Sequence, residues 1–109
     1  MSPHVITLRG HLTLVALESE LRPLSERLAK GEPATLVVDC LDMESYEVEA
    51  RAAFIEFHKR WRPSLLGIAV LTRKVSWKGV VLAMAMASGT KMRAFDDPAS
   101  ARAWLSELA

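Results

Sequence analysis

Short apolar runs alternate with amphipathic stretches along the whole chain. Four such runs predict β-strands, near residues 5–9, 35–40, 66–72 and 91–95. The second run, Leu36-Val37-Val38 closed by Asp39, has almost no polar alternation, which is typical of a central strand covered on both faces. The stretches between and after the runs have helical spacing and are long enough for parallel crossovers. The pattern therefore predicts an α/β domain with a four-stranded, mostly parallel or mixed sheet and about four helices.

The first two helices are predicted by their apolar stripes. Thr13 is a plausible N-cap for a leucine stripe that ends at Gly31, with leucines at positions 14, 17, 21, 24 and 28. Pro23 lies inside this stripe, where a proline removes one hydrogen bond at a cost of about 3 kcal/mol, so we expect a kink or break near Arg22. A second helix is predicted from Ser45, its expected N-cap, to Trp61. Acidic residues near its start and basic residues near its end complement the helix dipole.

Two further helices are predicted at Ser76 to Ser88 and after Asp97-Pro98, where Asp97 is placed to cap the first turn. Within the former, the segment Trp77 to Ala87 is apolar on all sides, although covering a sheet needs only one apolar stripe. A second apolar face is left over. It meets another subunit, a partner protein or an apolar ligand, unless neighbouring helices cover it and its alanines dilute it.

Five residues are the candidate contacts of that partner or ligand. A small apolar molecule held beneath this helix would be lined by Tyr46, Phe54 and Trp77. Val81 and Met84 are three positions apart and share one helical face, so they are expected to behave alike. Leu82 and Met86 form the comparison face, about 100° round the helix from Val81.

Composition limits the classes of partner. The 109 residues fit a single domain, 1–109, and the apolar fraction of 50% with 25% charged residues is ordinary for a globular protein. A formal net charge of +1 gives no long-range field to attract nucleic acid or an anionic membrane. The single cysteine cannot form an internal disulfide, and the apolar stretch near the N-terminus is too short for a signal core or a membrane span. We therefore expect a cytoplasmic protein that binds no nucleic acid.

No arrangement of side chains predicts catalysis, a metal or a cofactor. Asp39 and Cys40 point to opposite faces of a strand, and His58 is expected far along the next helix as a partly exposed imidazole, so no triad forms. The other histidines lack metal-ligand spacing. Arg73 and Lys74 precede the helix that begins near Ser76, where they either bind an anion with its free N–H groups or are solvated.

Several short motifs, taken in order, resemble the STAS domain, the fold of anti-sigma-factor antagonists, and especially its SpoIIAA-like branch. They are Gly10-His11-Leu12-Thr13, Leu36-Val37-Val38-Asp39, and Phe95-Asp96-Asp97 followed by Ala101 and Trp104-Leu105. Partner-switching members of this family carry Asp-Ser-Ser-Gly at the start of the helix after the central strand, and its serine is phosphorylated. This chain has Glu47-Val48-Glu49-Ala50 there, without the serine or the glycine. Ser45 lies nearby and is either a capping residue or a shifted phosphosite.

The resemblance and the apolar third helix together predict a non-enzymatic regulatory or protein-interaction module of bacterial-type signalling. We expect it to self-associate as a homodimer through Trp77 to Met86. One alternative is a carrier of a small apolar ligand such as a lipid. A second alternative is an enzyme of a kind that the sequence does not reveal.

Overall fold

Four parallel strands form the centre of the computed structural model, which describes residues 2–108. The elements in chain order are β1 (His4–Thr7), β2 (Gly10–Leu12), α1 (Leu14–Ala29), β3 (Ala34–Asp39), β4 (Met43–Tyr46), α2 (Val48–Trp61), β5 (Leu65–Leu71), α3 (Val75–Ser88), β6 (Met92–Phe95) and α4 (Pro98–Leu108). The central sheet has the order β1-β3-β5-β6, and all of its neighbours pair in parallel. The predicted four-stranded sheet and four helices are confirmed.

A second, two-stranded parallel sheet of β2 and β4 was not predicted. It replaces the expected start of the second helix, so the prediction that Ser45 is a helix N-cap is wrong. Ser45 lies in β4, paired with His11 of β2, and the helix begins only at Val48 with Glu47 as its N-cap residue. The backbone at 43–46 is therefore committed to strand pairing, which a helical conformation would break.

The start of α1 is capped twice. Thr13 accepts a hydrogen bond from the backbone N–H of Ala16 at 3.1 Å, which confirms the predicted cap. The carboxylate of Glu47 accepts a second bond from the N–H of Leu14 at 2.7 Å. Glu47 thus ties the entry of α2 to the first turn of α1.

Pro23 does not break α1, although the sequence predicts a kink or break near Arg22. The helix continues to Ala29, with Pro23 on its exposed side. Its buried stripe consists of Leu17, Leu21, Leu24 and Leu28. Burying a leucine contributes about 1.5–3 kcal/mol, so the four together outweigh the loss of one helical hydrogen bond.

The helices divide unequally between the two faces of the central sheet. Alternate residues of β3 and β5, such as Val37, Ala69 and Leu71, pack against Ala101 and Leu105 of α4. The intervening residues, such as Val38 and Val70, join the larger core under α1, α2 and α3. Among residues 2–108, no helix has both the length and the apolar character needed to cross a membrane.

Candidate ligand-binding cavity

A cavity lies on the three-helix face, at the carboxyl end of the central strands. Val38 and Cys40 line it from β3 and the following residue, and Val70 and Thr72 line it from β5 and the residue after it. In open parallel sheets this edge is where ligands usually bind. The β2–β4 sheet closes the same edge with Leu12, Met43 and Tyr46.

The five candidate residues from the sequence meet at this cavity. Tyr46, Phe54 and Trp77 all line it, and so do Val81 and Met84 from the inner face of α3. Val81 and Met84 are both buried, so their shared face is turned towards the core rather than towards solvent. The structure therefore places them against the cavity and not on the outer surface of the domain.

The wall of the cavity is almost entirely apolar. Its space amounts to about 60 Å³ for the centres of water-sized molecules, which is room for more than one water. The polar side chains among its lining residues are Cys40, Tyr46, Thr72 and Arg51. A water inside would find few hydrogen-bond partners, so an apolar occupant suits this space better.

Tyr46 and Trp77 meet at the cavity, and Lys74 lies against them. The two aromatic rings are 6.0 Å apart between centroids in an edge-to-face arrangement. The ammonium of Lys74 lies 4.0 Å from the centroid of the Trp77 ring. It also donates hydrogen bonds to the backbone carbonyls of Met43 at 3.0 Å and Glu44 at 3.3 Å. Lys74 thereby joins the first turn of α3 to β4.

At the anion site predicted from sequence, Arg73 and Lys74, the ammonium of Lys74 already has other partners. Lys74 is the N-cap residue of α3 and uses its side chain on β4 and Trp77, as described above. Arg73 is exposed. Lys74 is therefore partly engaged, and anion binding by this pair stays a prediction.

Cys40 presents an unreactive thiol to the cavity. Burial, with a smaller contribution from the negative charge of Asp39, raises the pKa of this thiol to about 12. A thiol with such a pKa is protonated at neutral pH and is a poor nucleophile. Cys40 acts here as a small apolar wall residue, as the sequence predicts.

His58 is fully buried, in contrast to the partly exposed imidazole expected from sequence. Its ring lies 4.1 Å from that of Phe54 and 6.1 Å from that of Phe57, between centroids, and burial lowers its pKa to about 3. Neither ring nitrogen has a hydrogen-bond partner within the described residues. The signal for this burial was available, because Ala50, Phe54 and His58 recur at intervals of four along α2.

Ser45, the possible phosphosite, lies outside the cavity on the exposed side of β4. Its hydroxyl is 2.6 Å from Nδ1 of His11, its partner across the β2–β4 sheet. Because Ser45 precedes the N-cap of α2 by two residues, the argument that the helix N-terminus would stabilise a phosphate there loses its basis. No sequence pattern indicates the His11–Ser45 pair.

The outer face of α3 is apolar and exposed. Val75, Leu82 and Met86 are 81%, 63% and 77% exposed, so neighbouring helices do not cover the second face of this helix. Leu82 and Met86 are the comparison face of the sequence analysis, about 100° round the helix from Val81. Within residues 2–108, no cluster of three or more His, Cys, Asp or Glu side chains could hold a metal ion.

Comparisons with known proteins agree on the family and the fold. The model of the SpoIIAA-like family matches residues 4–106 of this chain. Among solved structures, the chain is similar to an uncharacterized protein with a SpoIIAA-like fold from Shewanella loihica PV-4, with a TM-score of 0.73 over 96% of this chain and 82% of that chain. The identity is 16%, so this likeness shows the fold alone. No curated protein matches the chain.

Proposed function

Because the chain belongs to the SpoIIAA-like family and carries an apolar cavity at the carboxyl end of its sheet, we propose that it is a non-enzymatic module that binds a small apolar molecule. The single observation that carries the proposal is the cavity itself, with Tyr46, Phe54 and Trp77 around it. Ligand sites are concave and mainly apolar, with aromatic side chains and few polar groups.

The chemistry of the polar lining residues supports binding rather than turnover. Cys40 holds its proton at neutral pH, and the Thr72 hydroxyl accepts a hydrogen bond from the N–H of Lys74 at 3.2 Å. His58, the buried imidazole, is not among the lining residues and packs behind Phe54. No general base is therefore placed beside a nucleophile at the cavity.

The test is calorimetric titration of a neutral apolar probe, 1-decanol, into the wild-type protein and two alanine variants. Ala50 lines the cavity on α2 and is fully buried, so Ala50→Leu fills the space. Ala52 is exposed on the same helix, so Ala52→Leu adds the same atoms to the surface. We expect the wild type and Ala52→Leu to bind alike and Ala50→Leu to lose binding. Equal binding by all three folded proteins, or no binding by the wild type, would contradict the proposal.

A second candidate function is supported by the exposed outer face of α3. Val75, Leu82 and Met86 recur along one side of the helix, and a stripe of this kind is rare on a monomer unless a partner covers it. We propose that a second copy of the chain packs on this stripe, as part of a regulatory role related to that of anti-sigma-factor antagonists. Val48, at the family's phosphoacceptor position, has no hydroxyl, so association would not be switched by phosphorylation there.

Native mass spectrometry of freshly purified protein separates the two candidates. A dimer mass supports self-association, and a monomer mass with a retained small molecule supports the cavity alone. If the stripe is the interface, Leu82→Lys gives a folded monomer by circular dichroism and light scattering. A wild-type protein that stays monomeric at high concentration would refute the interface.

A further inference from the structure

Among residues 2–108, Arg51 is the one charged residue that lines the cavity. It lies on the first turn of α2, beside the buried Ala50, yet the residue as a whole is exposed. A long side chain with these two properties contributes its methylene stem to the wall and keeps its guanidinium at the mouth. The cavity therefore has an apolar interior and a cationic entrance.

The guanidinium of Arg51 is free to take a ligand. Within residues 2–108 it makes no ion pair and no side-chain hydrogen bond. Glu47, one turn earlier on the same side of the helix, is not within ion-pair distance, and its carboxylate Oε1 accepts a hydrogen bond from the N–H of Leu14. The acid closest in sequence to Arg51 on this face is thus engaged elsewhere.

A second positive charge lies against the cavity wall. The ammonium of Lys74 stacks on Trp77, which lines the cavity, although two of its hydrogen-bond donors are used by the carbonyls of Met43 and Glu44. Lys74 thus makes the electrostatic potential at the cavity more positive, but it has no pair of free N–H donors for a ligand. Arg51 keeps all five of its N–H donors, which match the oxygens of a carboxylate or phosphate.

On the premise of the proposed function, that the cavity takes an apolar chain, the geometry points to a single-chain amphiphile with an anionic head as its ligand. The chain lies among Phe54, Trp77 and Met84, and the carboxylate or phosphate head pairs with Arg51 at the mouth. Arg51 is then the residue that distinguishes an anionic amphiphile from a neutral or cationic one of the same length.

The experiment compares four ten-carbon probes by calorimetric titration: decanoate, decyl phosphate, 1-decanol and decyltrimethylammonium. They share the chain and differ in the head. The proteins are the wild type, Arg51→Gln, and Arg60→Gln as a matched control, since Arg60 is on the same helix but not at the cavity. Both variants lose one positive charge, so a general effect of net charge would appear equally in each.

We expect the wild type to bind at least one of the two anionic probes about tenfold more tightly than 1-decanol, which is an ordinary magnitude for a charge-assisted hydrogen bond at a partly exposed site. Arg51→Gln should remove that preference, so that the variant binds the anionic probes no more tightly than 1-decanol, and Arg60→Gln should keep the preference of the wild type. Raising the salt concentration should weaken the binding of the anion alone.

The possible failures are distinguishable. If 1-decanol and both anions bind the wild type equally, or if the preference for the anion survives Arg51→Gln, the role of Arg51 is wrong while the apolar cavity stands. Tighter binding of decyltrimethylammonium than of the two anionic probes would also overturn the role of Arg51. If no probe binds the folded wild type, the proposed function itself fails. A preference for decanoate or for decyl phosphate, lost in Arg51→Gln, supports the inference and identifies the head.

Discussion

The two faces of the central sheet are built from residues of different size. On one face a single helix, α4, packs closely, because Gly67, Ala69 and Ala101 leave little between helix and sheet. On the other face α1, α2 and α3 converge with the β2–β4 sheet over larger side chains, and an apolar cavity remains at the carboxyl edge. The first arrangement is typical of a stabilising contact, and the second of a binding site.

The contrast shows why the cavity persists in so small a domain. Side chains from three helices and two sheets reach its space, among them Leu17, Phe54 and Met84, and each is already held by its own element. The side chains present could close this space only if one of these elements moved, whereas α4 needs only to pack on β3, β5 and β6. Packing is therefore easily completed on the α4 face and left incomplete on the other.

The prediction with the largest expected effect tests whether only one side of α3 packs against the core. Val81→Lys places a charge at a buried position without a partner, which costs several kcal/mol against a total stability of about 5–15 kcal/mol, so we expect the domain to unfold. Leu82→Lys, at the next residue, leaves the domain folded because Leu82 is exposed. Circular dichroism and urea titration measure both. Equal stability of the two variants would show that α3 has no inner face.

Helical spacing predicted this difference along α3, and hydrophobic runs predicted the central sheet. Helix geometry alone places positions 81 and 84 on one face and positions 82 and 86 on another. These two faces could therefore be assigned without knowledge of the tertiary structure. The same holds for the strand Leu36-Val37-Val38, whose unbroken apolar run indicated burial on both faces. Tyr46, Phe54 and Trp77 meet at one cavity, in agreement with the expectation that they line a space beneath α3.

Features that depend on contacts distant in sequence were missed. The β2–β4 sheet joins segments more than thirty positions apart through short, polar strands, so neither strand shows apolar alternation strong enough to identify it. Ser45 was consequently assigned to a helix. Arg51 looks like any surface arginine in sequence, and only the packing of α2 places it at the cavity. At Pro23 the sequence predicts a kink or break, but α1 continues because the burial of its leucine stripe outweighs one lost hydrogen bond.

The next prediction concerns acid sensitivity on the three-helix face. His58 has a pKa of about 3 in the folded chain, against 6.5 for an exposed histidine, so the unfolded chain binds more protons between these two values. His58 therefore has little effect on the free energy of unfolding above about pH 6.5. Below that pH the free energy of unfolding falls as the pH is lowered towards about 3. Between pH 7 and pH 5 the loss from this group is about 2 kcal/mol.

Chemical denaturation at pH 7, 6 and 5 measures this slope, with His58→Leu as the control of similar volume. The variant lacks the titrating ring, and we expect it to lose most of the slope while keeping the contribution of His4, whose pKa is also lowered by burial. An unchanged slope in the folded variant would show that His58 is not the acid-sensitive group.

A matched pair of alanines compares the two faces directly. Ala101 on α4 and Ala50 on α2 are both fully buried, and each is replaced by leucine. Ala101→Leu overfills the α4 face and should destabilise the protein by about 1–3 kcal/mol. The leucine of Ala50→Leu enters the cavity, so the free energy of unfolding should be unchanged or rise by up to about 1 kcal/mol. Thermal unfolding of both variants tests the comparison, which is wrong if Ala50→Leu is the more damaging change.

The smallest expected effect is the difference in stability between alanine substitutions at two glycines, Gly67 and Gly79. A Cβ on Gly67 would overlap Cδ1 of Leu108 and lie 3.3 Å from Cδ2 of Leu105, so Gly67→Ala should force both leucines of α4 to shift. Leu108 is near the end of α4 and turns away easily, which limits the net loss to about 1 kcal/mol after the entropic gain of replacing glycine. Gly79 on the exposed side of α3 has nothing within 4 Å of the same position, so Gly79→Ala should instead stabilise by about 0.5–1 kcal/mol. Urea denaturation of the two variants gives opposite signs if α4 packs as closely as the structure shows. Two gains of equal size would mean that the α4 face has room to spare, and the contrast between the faces would not hold.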